Sequence, residues 1–239
     1  MLSKNNIIAN LSRDKIRNIN LINFIKQYNI SSINRIGNTY LIRGTSDHSW
    51  VYISSKNISE FKDIIKFLND KDEYFAIMED WMLPYILKNK KILWKISCIK
   101  LFYPENKFIP KTGTNINDLS PEYAEYIYNN SKYQDYLSIE YIRERINQGI
   151  SIGIFEDNKL IAWMMTHDDG AMGFLHVLSE YRGRGYGQDI SFEMIKRLRK
   201  QNKISFVHIE ENNIPSMSLA LKAGFIKDRR IHYLYLNNY

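Results

Sequence analysis

Cys98 is the only cysteine in the 239-residue chain, which excludes an internal disulfide framework and any multi-cysteine metal site. No apolar run approaches the roughly 18 residues of a membrane span. The polar start Met1-Leu2-Ser3-Lys4-Asn5-Asn6 lacks the pattern of a signal peptide, so a soluble, cytoplasmic protein without membrane association is expected. His167, His176, His208 and His232 fall on separate strand-like segments without ligand spacing, and no metal is expected. Glycine is scarce where the chain begins: residues 1–110 hold only Gly37 and Gly44, while most others cluster between Gly149 and Gly187. A backbone that must approach a ligand closely needs glycine, so the second half is the place to seek a site.

What is present is a globular composition, 44% hydrophobic and 25% charged. The net charge of +7 suits an anionic partner without choosing among nucleotide, phosphorylated cofactor and nucleic acid. The basic run Lys196-Arg197-Leu198-Arg199-Lys200 ends a helix, where cations complement the dipole. It reads as a solvated face rather than a nucleic-acid patch. Cys98 lies in the apolar stretch Trp94–Ile99 and reads as a buried, inert thiol.

In the first half, helices are expected over Asp14–Tyr28 and Ser59–Leu68, with a shorter one around Asp80–Leu87. Strands are expected at Ser32–Ile36, Thr39–Arg43, Trp50–Ser54, Tyr74–Met78 and within Ile92–Tyr103. The segment Pro104–Gly113 breaks ladders and helices alike and marks the expected junction between an N-terminal α/β module, 1–104, and a second domain, 105–239. There, helices follow Ser120-Pro121 and Ser138, the second ending at Gly149. Strands at Ile150–Glu156, Lys159–His167 and Ala171–Leu178 form a meander turned by Asp157-Asn158 and Asp168-Asp169-Gly170. A helix over Gln188–Gln201, a strand over Ile204–Glu210, a helix over Pro215–Ala223 and closing strands near Phe225 and His232–Leu236 complete the order.

Between the third strand of the meander and the next helix stands Val177-Leu178-Ser179-Glu180-Tyr181-Arg182-Gly183-Arg184-Gly185-Tyr186-Gly187. Alternate glycines let successive N–H groups face one side, and the following helix brings its positive end to the same point. Together they make an anion cradle suited to a diphosphate, flanked by Arg182 and Arg184. The dinucleotide fingerprint fails because Gln188 stands at its third glycine, and the Gly-Lys-Ser/Thr of an ATP loop is absent. A plain tight turn with incidental arginines is the competing reading.

A second segment, Asn213-Ile214-Pro215-Ser216 through Gly224-Phe225, favours the cradle. With it the chain resembles the GNAT superfamily of acyl-CoA-dependent N-acyltransferases over roughly residues 115–236. Arg182, Gly185 and Gly187 match that family's pyrophosphate loop, and Asn213, Ser216, Gly224 and Phe225 match its later segment. The run Gly173–Leu178 followed by Glu180-Tyr181-Arg182-Gly183 looks most like the glycine N-acyltransferase-like branch. The resemblance implies an α/β fold with a mixed, centrally splayed sheet flanked by helices. The first half reads either as an unrelated module or as a degenerate copy of the same fold.

The resemblance further implies direct attack of an amine on acetyl-CoA or another acyl-CoA, with no metal and no covalent enzyme intermediate. The diphosphate would lie on Arg182, Gly183, Arg184, Gly185, Tyr186 and Gly187. The pantetheine arm would meet main-chain groups of Val177 and Leu178, with Asn213 and Ser216 nearby. A small-molecule amine or amino acid is the expected acceptor. His176 and Glu210 are the expected catalytic residues, with His208 and Asp168 or Asp169 as further candidate bases; a hydrogen-bonded core histidine is the competing reading of His176. Many members place a tyrosine four residues before the Gly-Phe pair, where this chain has Ala220. That departure leaves room for a non-catalytic acyl-CoA sensor.

Overall fold

The structure is a computed structural model in which residues 3–238 are described. The chain packs into two compact units. One comprises residues 1–100, 209–212 and 228–239, and the other residues 101–208 and 213–227.

The first unit opens with α1 (Lys4–Leu11), absent from the sequence expectation because only Ile7 and Leu11 of its eight residues are buried. Ser3 caps it, its Oγ accepting from Asn6 N–H at 3.3 Å. Helix α2 (Lys15–Gln27) follows, then the meander β1 (Asn29–Ile36), β2 (Thr39–Thr45) and β3 (Ser49–Ser54). Helix α3 (Ile58–Ile64) stops four residues short of expectation and tightens into a 3₁₀ turn over Ile65–Phe67. Strand β4 (Tyr74–Met78) pairs parallel to β3, and the short α4 (Leu83–Ile86) leads into β5 (Lys90–Tyr103). One face of this sheet packs Tyr40, Ile42 and Tyr52 against Leu21, Phe24 and Ile25 of α2. The other packs Leu41, Val51 and Phe75 against Phe61 and Ile64 of α3.

Where two closing strands were expected, a single strand β11 (Ile226–Asn238) runs, antiparallel to β4. The charged run Lys227-Asp228-Arg229-Arg230 breaks the apolar alternation in the sequence. In the fold its arginines find carboxylates, Arg229 at 3.0 Å from Glu79 and Arg230 at 2.6 Å from Glu211, so the strand continues.

The second unit holds β6 (Asn117–Asp118), α5 (Ala124–Asn129) and α6 (Ile139–Gln148), then β7 (Ser151–Glu156), β8 (Lys159–Thr166) and β9 (Met172–Val177). Helix α7 (Tyr186–Lys200), the part of strand β10 (Ser205–Glu210) up to His208, and α8 (Ile214–Ala223) complete it. Asp157 and Asn158 both take positive φ, 49° and 62°, the type I′ geometry of a two-residue hairpin. The strand order is β6-β7-β8-β9-β10. This is a mixed sheet, because β6 to β9 are antiparallel while β10 runs parallel to β9. Helices α6 and α7 are amphipathic. Ser138 caps α6 through Tyr141 N–H at 3.0 Å, and α7 buries Ile190, Met194, Ile195 and Leu198.

Candidate active site

Parallel strands β9 and β10 share one paired position, Met172 opposite Val207. Beyond it β9 continues to Val177 with no further register position shared with β10 inside this unit, so the strands part in a fork closed at Met172/Val207. Unpaired edge groups in a fork can accept an extended, amide-bearing chain as a sheet edge accepts a peptide.

Within that stretch the β8–β9 register slips. Met165 pairs with Gly173 and Trp163 with His176, so Phe174 and Leu175 of β9 face Met164 alone on β8. The extra residue is accommodated at Phe174, a non-glycine residue at φ 56°. Such a bulge re-aims the following backbone groups and holds a left-handed conformation that costs energy. Because Met165 and Trp163 share a face of β8, Gly173 and His176 share a face of β9. Helices α5 and α6 cover it, with Tyr126 edge-on to Trp163 at 5.9 Å and Tyr141 at 6.2 Å from Phe174.

The glycine loop lies where β9 meets α7. Gly183 and Gly185 take φ 78° and 85°, and a side chain on either would meet no atom within 4 Å. The conformation demands glycine and the space around it is open. Gly185 caps α7 without a side-chain bond, and Gln188 N–H turns back to Gly185 O at 2.9 Å, so the helix start brings the N–H groups of Tyr186 and Gly187 beside this opening. Arg182, Gly183, Arg184 and Gly185 are exposed; Tyr186 and Gly187 are half-buried. A methyl group at Gly187 would touch Leu219 of α8 at 3.4 Å, which ties the loop to that helix.

The arginines are partly engaged. Arg182 Nε donates to Val177 O at 3.0 Å, and Arg184 Nη2 donates to Glu180 O at 3.2 Å. Leu178, named for the arm, uses both main-chain groups internally: its N–H donates to Ile161 O at 2.9 Å, and its carbonyl accepts from Tyr181 N–H at 2.9 Å. Glu180 pairs with Lys159 at 3.0 Å; a backbone hydrogen bond, then Lys159 and Ser179, hold its carboxyl at about 2. Asn213 caps α8, Oδ1 accepting from Ser216 N–H at 3.3 Å. Ala220, at the tyrosine position, is buried.

His176 lies flat on Trp163, ring centroids 4.4 Å apart and 11° from parallel. Burial, and secondarily the Arg182 charge, lower its pKa below the ordinary 6.5, so the ring is neutral at pH 7. His208, immediately after the last paired residue of β10, has Nδ1 4.0 Å from Asp169 Oδ2. Glu210 belongs to the first unit, with Glu211. Both carboxylates add to burial in pushing the Cys98 thiol up to about 12. His232, also in the first unit, sits between Ser97 Oγ at 2.8 Å and Asp80 Oδ1 at 3.0 Å. Among the described residues no group of three or more His, Cys, Asp or Glu side chains could hold a metal, and no helix is long and apolar enough to cross a membrane.

Sequence reasoning passed over His167 except as a metal ligand. Its ring stacks on Phe174 at 4.5 Å and covers Gly173, where a methyl group would overlap Nε2 and Cδ2. A glycine one residue before the bulge is the signal that could have found it.

Residues 149–234 match the family model described as FR47-like protein. No curated protein sequence matches the chain. Among solved structures, a Drosophila protein superposes with a TM-score of 0.80 at 15% identity, covering 98% of this chain and 97% of its own. A GCN5-related N-acetyltransferase from Kribbella flavida gives 0.58 at 11% identity, covering 92% and 94%. An acetyltransferase of the GNAT family from Colwellia psychrerythraea gives 0.53 at 12%, covering 99% and 98%. The fold is therefore the GNAT fold, a mixed α/β sheet flanked by helices. The FR47-like segment contains the fork and the glycine loop.

Proposed function

We propose that the protein is an acyl-CoA-dependent N-acyltransferase that transfers an acyl group, with acetyl as the first candidate, to a primary amine of a small molecule or amino acid. One observation carries this: a fork of two parallel strands opens toward an anion cradle built by glycines at positive φ and the start of α7. A ligand that is a diphosphate at one end and a chain of amides leading from it fits both parts at once, and acyl-CoA has that chemistry.

In this reading N–H groups of Gly183 through Gly187 hold the diphosphate, with Arg182 and Arg184 adding charge. The arm runs down β9 toward the closed end of the fork. Val177 N–H and the groups of Leu175 on the same edge would pair with its amides, since those of Leu178 are already used. Asn213 and Ser216, at the start of α8, border the arm. The bulge at Phe174 aims a following N–H at the thioester carbonyl, where a donor stabilises the developing oxyanion. The neutral, stacked His176 walls the acyl end and loses no hydration of a charged ring when the arm covers it. A thiol with an ordinary pKa near 8.5 leaves tolerably as thiolate, so Ala220 in place of an acid leaves the chemistry feasible.

The test is calorimetric titration with acetyl-CoA and CoA, followed by thiol release over a panel of amines. Binding with turnover supports the transferase. Binding with no turnover on any acceptor supports the sensor that Ala220 suggests, and no binding ends both readings.

A further inference from the structure

On the face of β9 covered by α5 and α6, buried polar groups gather at the closed end of the fork. Tyr141 (on α6), Asp168 and Asp169 (in the β8–β9 turn) are each 9% exposed or less, whereas His167 is half-buried. Asp169 Oδ1 accepts from Ala171 N–H at 3.0 Å and Asp168 Oδ1 from Asp169 N–H at 2.9 Å, which fixes both carboxylates. Arg145, fully buried, donates to His167 O at 3.1 Å while its charge is met by Glu144 at 2.8 Å. Imidazole and carboxylate are thus placed by the turn and the phenol by α6.

Hydrogen-bond direction then sets the imidazole's tautomer. The Asp168 carboxylate only accepts, so the Tyr141 hydroxyl must donate to Oδ1, 3.3 Å away. Tyr141 Oη also accepts from Asp168 N–H at 3.4 Å, and it lies 3.5 Å from His167 Nδ1. With the hydroxyl proton given to Asp168, the tautomer assigned to His167 has Nδ1 donating to Tyr141 Oη and the lone pair on Nε2. Nε2 is the atom that covers Gly173, one residue before the bulge.

We propose that His167 is a catalytic residue of this site, its Nε2 taking the proton from the acceptor's ammonium, with Tyr141 and Asp168 as positioning residues behind it. This rests on the acyltransferase reading, which places the thioester at the closed end of the fork. Nε2 removes one proton from R–NH₃⁺. The amine lone pair forms the C–N bond as the C–S bond breaks, the second proton leaves nitrogen for the thiolate to give the free thiol, and the imidazolium returns its proton to water. The imidazolium is stabilised through Tyr141 by the Asp168 carboxylate. Of the other charged groups facing this turn, Arg145 is met by Glu144, and Asp169 Oδ2 lies 4.0 Å from His208 Nδ1.

The experiment compares the full-length protein with His167→Gln, Tyr141→Phe and Gly173→Ala, the last displacing the ring without removing a titratable group. Probes are acetyl-CoA with glycine, spermidine and Nα-acetyl-lysine amide, and turnover and acetyl-CoA affinity are measured from pH 5 to 10. His167→Gln is expected to lose about 100-fold or more in kcat with acetyl-CoA affinity kept, and to lose the limb of the pH profile that belongs to an imidazole. Gly173→Ala should reproduce the loss of turnover, and Tyr141→Phe should move the limb. Long-range ¹⁵N spectra of the wild type should show His167 protonated at Nδ1. Turnover that survives His167→Gln with its pH limb in place, or an Nε2-protonated ring, overturns this assignment and leaves the acyltransferase reading standing. A wild type that binds no acetyl-CoA overturns both.

Discussion

Trp163 and His176 lie face to face across the β8–β9 pair because a bulge at Phe174 brings Gly173 and His176 to the same side of the strand. The stack has a measurable consequence. A histidine whose folded pKa is lowered binds fewer protons folded than unfolded. Its contribution to stability is complete above the unfolded value near 6.5 and shrinks as pH falls toward the folded pKa. His176→Phe keeps the aromatic stack and removes the titration. Its melting temperature should fall less than the wild type's between pH 7 and 5; equal falls would show that the ring does not titrate in this way.

Gly185→Glu tests the cradle. The position has φ 85° with open space around it, so the fold bears only the backbone cost of a left-handed residue, about 1–2 kcal/mol. That corresponds to about 2–8 °C in melting temperature for a chain of this length. The carboxylate would occupy the diphosphate's place with like charge, and acetyl-CoA binding should vanish in calorimetry while the protein stays folded. Unchanged affinity would show that the loop is a plain turn.

Much of this was legible in the chain itself, and the exceptions share a cause. The meander was readable because Asp157-Asn158 is turn chemistry set between short apolar runs. The loop was readable because glycines at 183 and 185 satisfy a positive φ that few other residues tolerate. The seat of His167 was not, since it depends on a bulge at Phe174, a phenylalanine in a conformation that the sequence does not announce. Helix α1 escaped because its buried face is only Ile7 and Leu11, and β11 looked broken because its ion partners, Glu79 and Glu211, are far away in sequence. Contacts made by the fold, rather than local propensity, decided each of these.

Cys98 should be chemically silent. Burial first, then the Glu210 and Glu211 carboxylates, push its thiol up to about 12, so almost no thiolate exists at pH 8. Iodoacetamide should label the protein only after unfolding, and mass spectrometry of the tryptic peptide would show it. Rapid labelling of the native chain at pH 8 would contradict the buried strand environment.

Asn213 offers a test that separates fold from site. Its Oδ1 caps α8 at Ser216 N–H, and Asn213→Ala should cost about 1 kcal/mol of stability through loss of that cap. Asn213→Asp keeps the cap and adds a negative charge at the start of the helix, where the dipole favours it. Stability should therefore return in the aspartate variant, as read by denaturant titration. If Asn213 also borders the acyl-CoA arm, acetyl-CoA affinity should stay low in Asn213→Asp even as stability recovers, because the amide's donor is gone. Recovery of both together would confine Asn213 to capping.

Arg182 stands at the mouth of the fork, its Nε on Val177 O, the carbonyl of the last β9 residue. A diphosphate arriving at the cradle competes for the same guanidinium, so binding should pull Arg182 off the strand and free that carbonyl for the arm. Two readouts follow. Arg182→Ala should weaken acetyl-CoA by about tenfold, consistent with one charge-assisted hydrogen bond of roughly 1.5–3 kcal/mol partly offset by the released carbonyl. It should also flatten the decline of affinity with ionic strength, since an exposed cation is screened by salt. Arg182→Lys should restore the salt dependence without the full affinity, because an ammonium supplies charge but not the planar fork that grips two phosphate oxygens. An Arg182→Ala variant that binds acetyl-CoA with wild-type affinity and salt dependence would assign this arginine to holding the end of β9 alone.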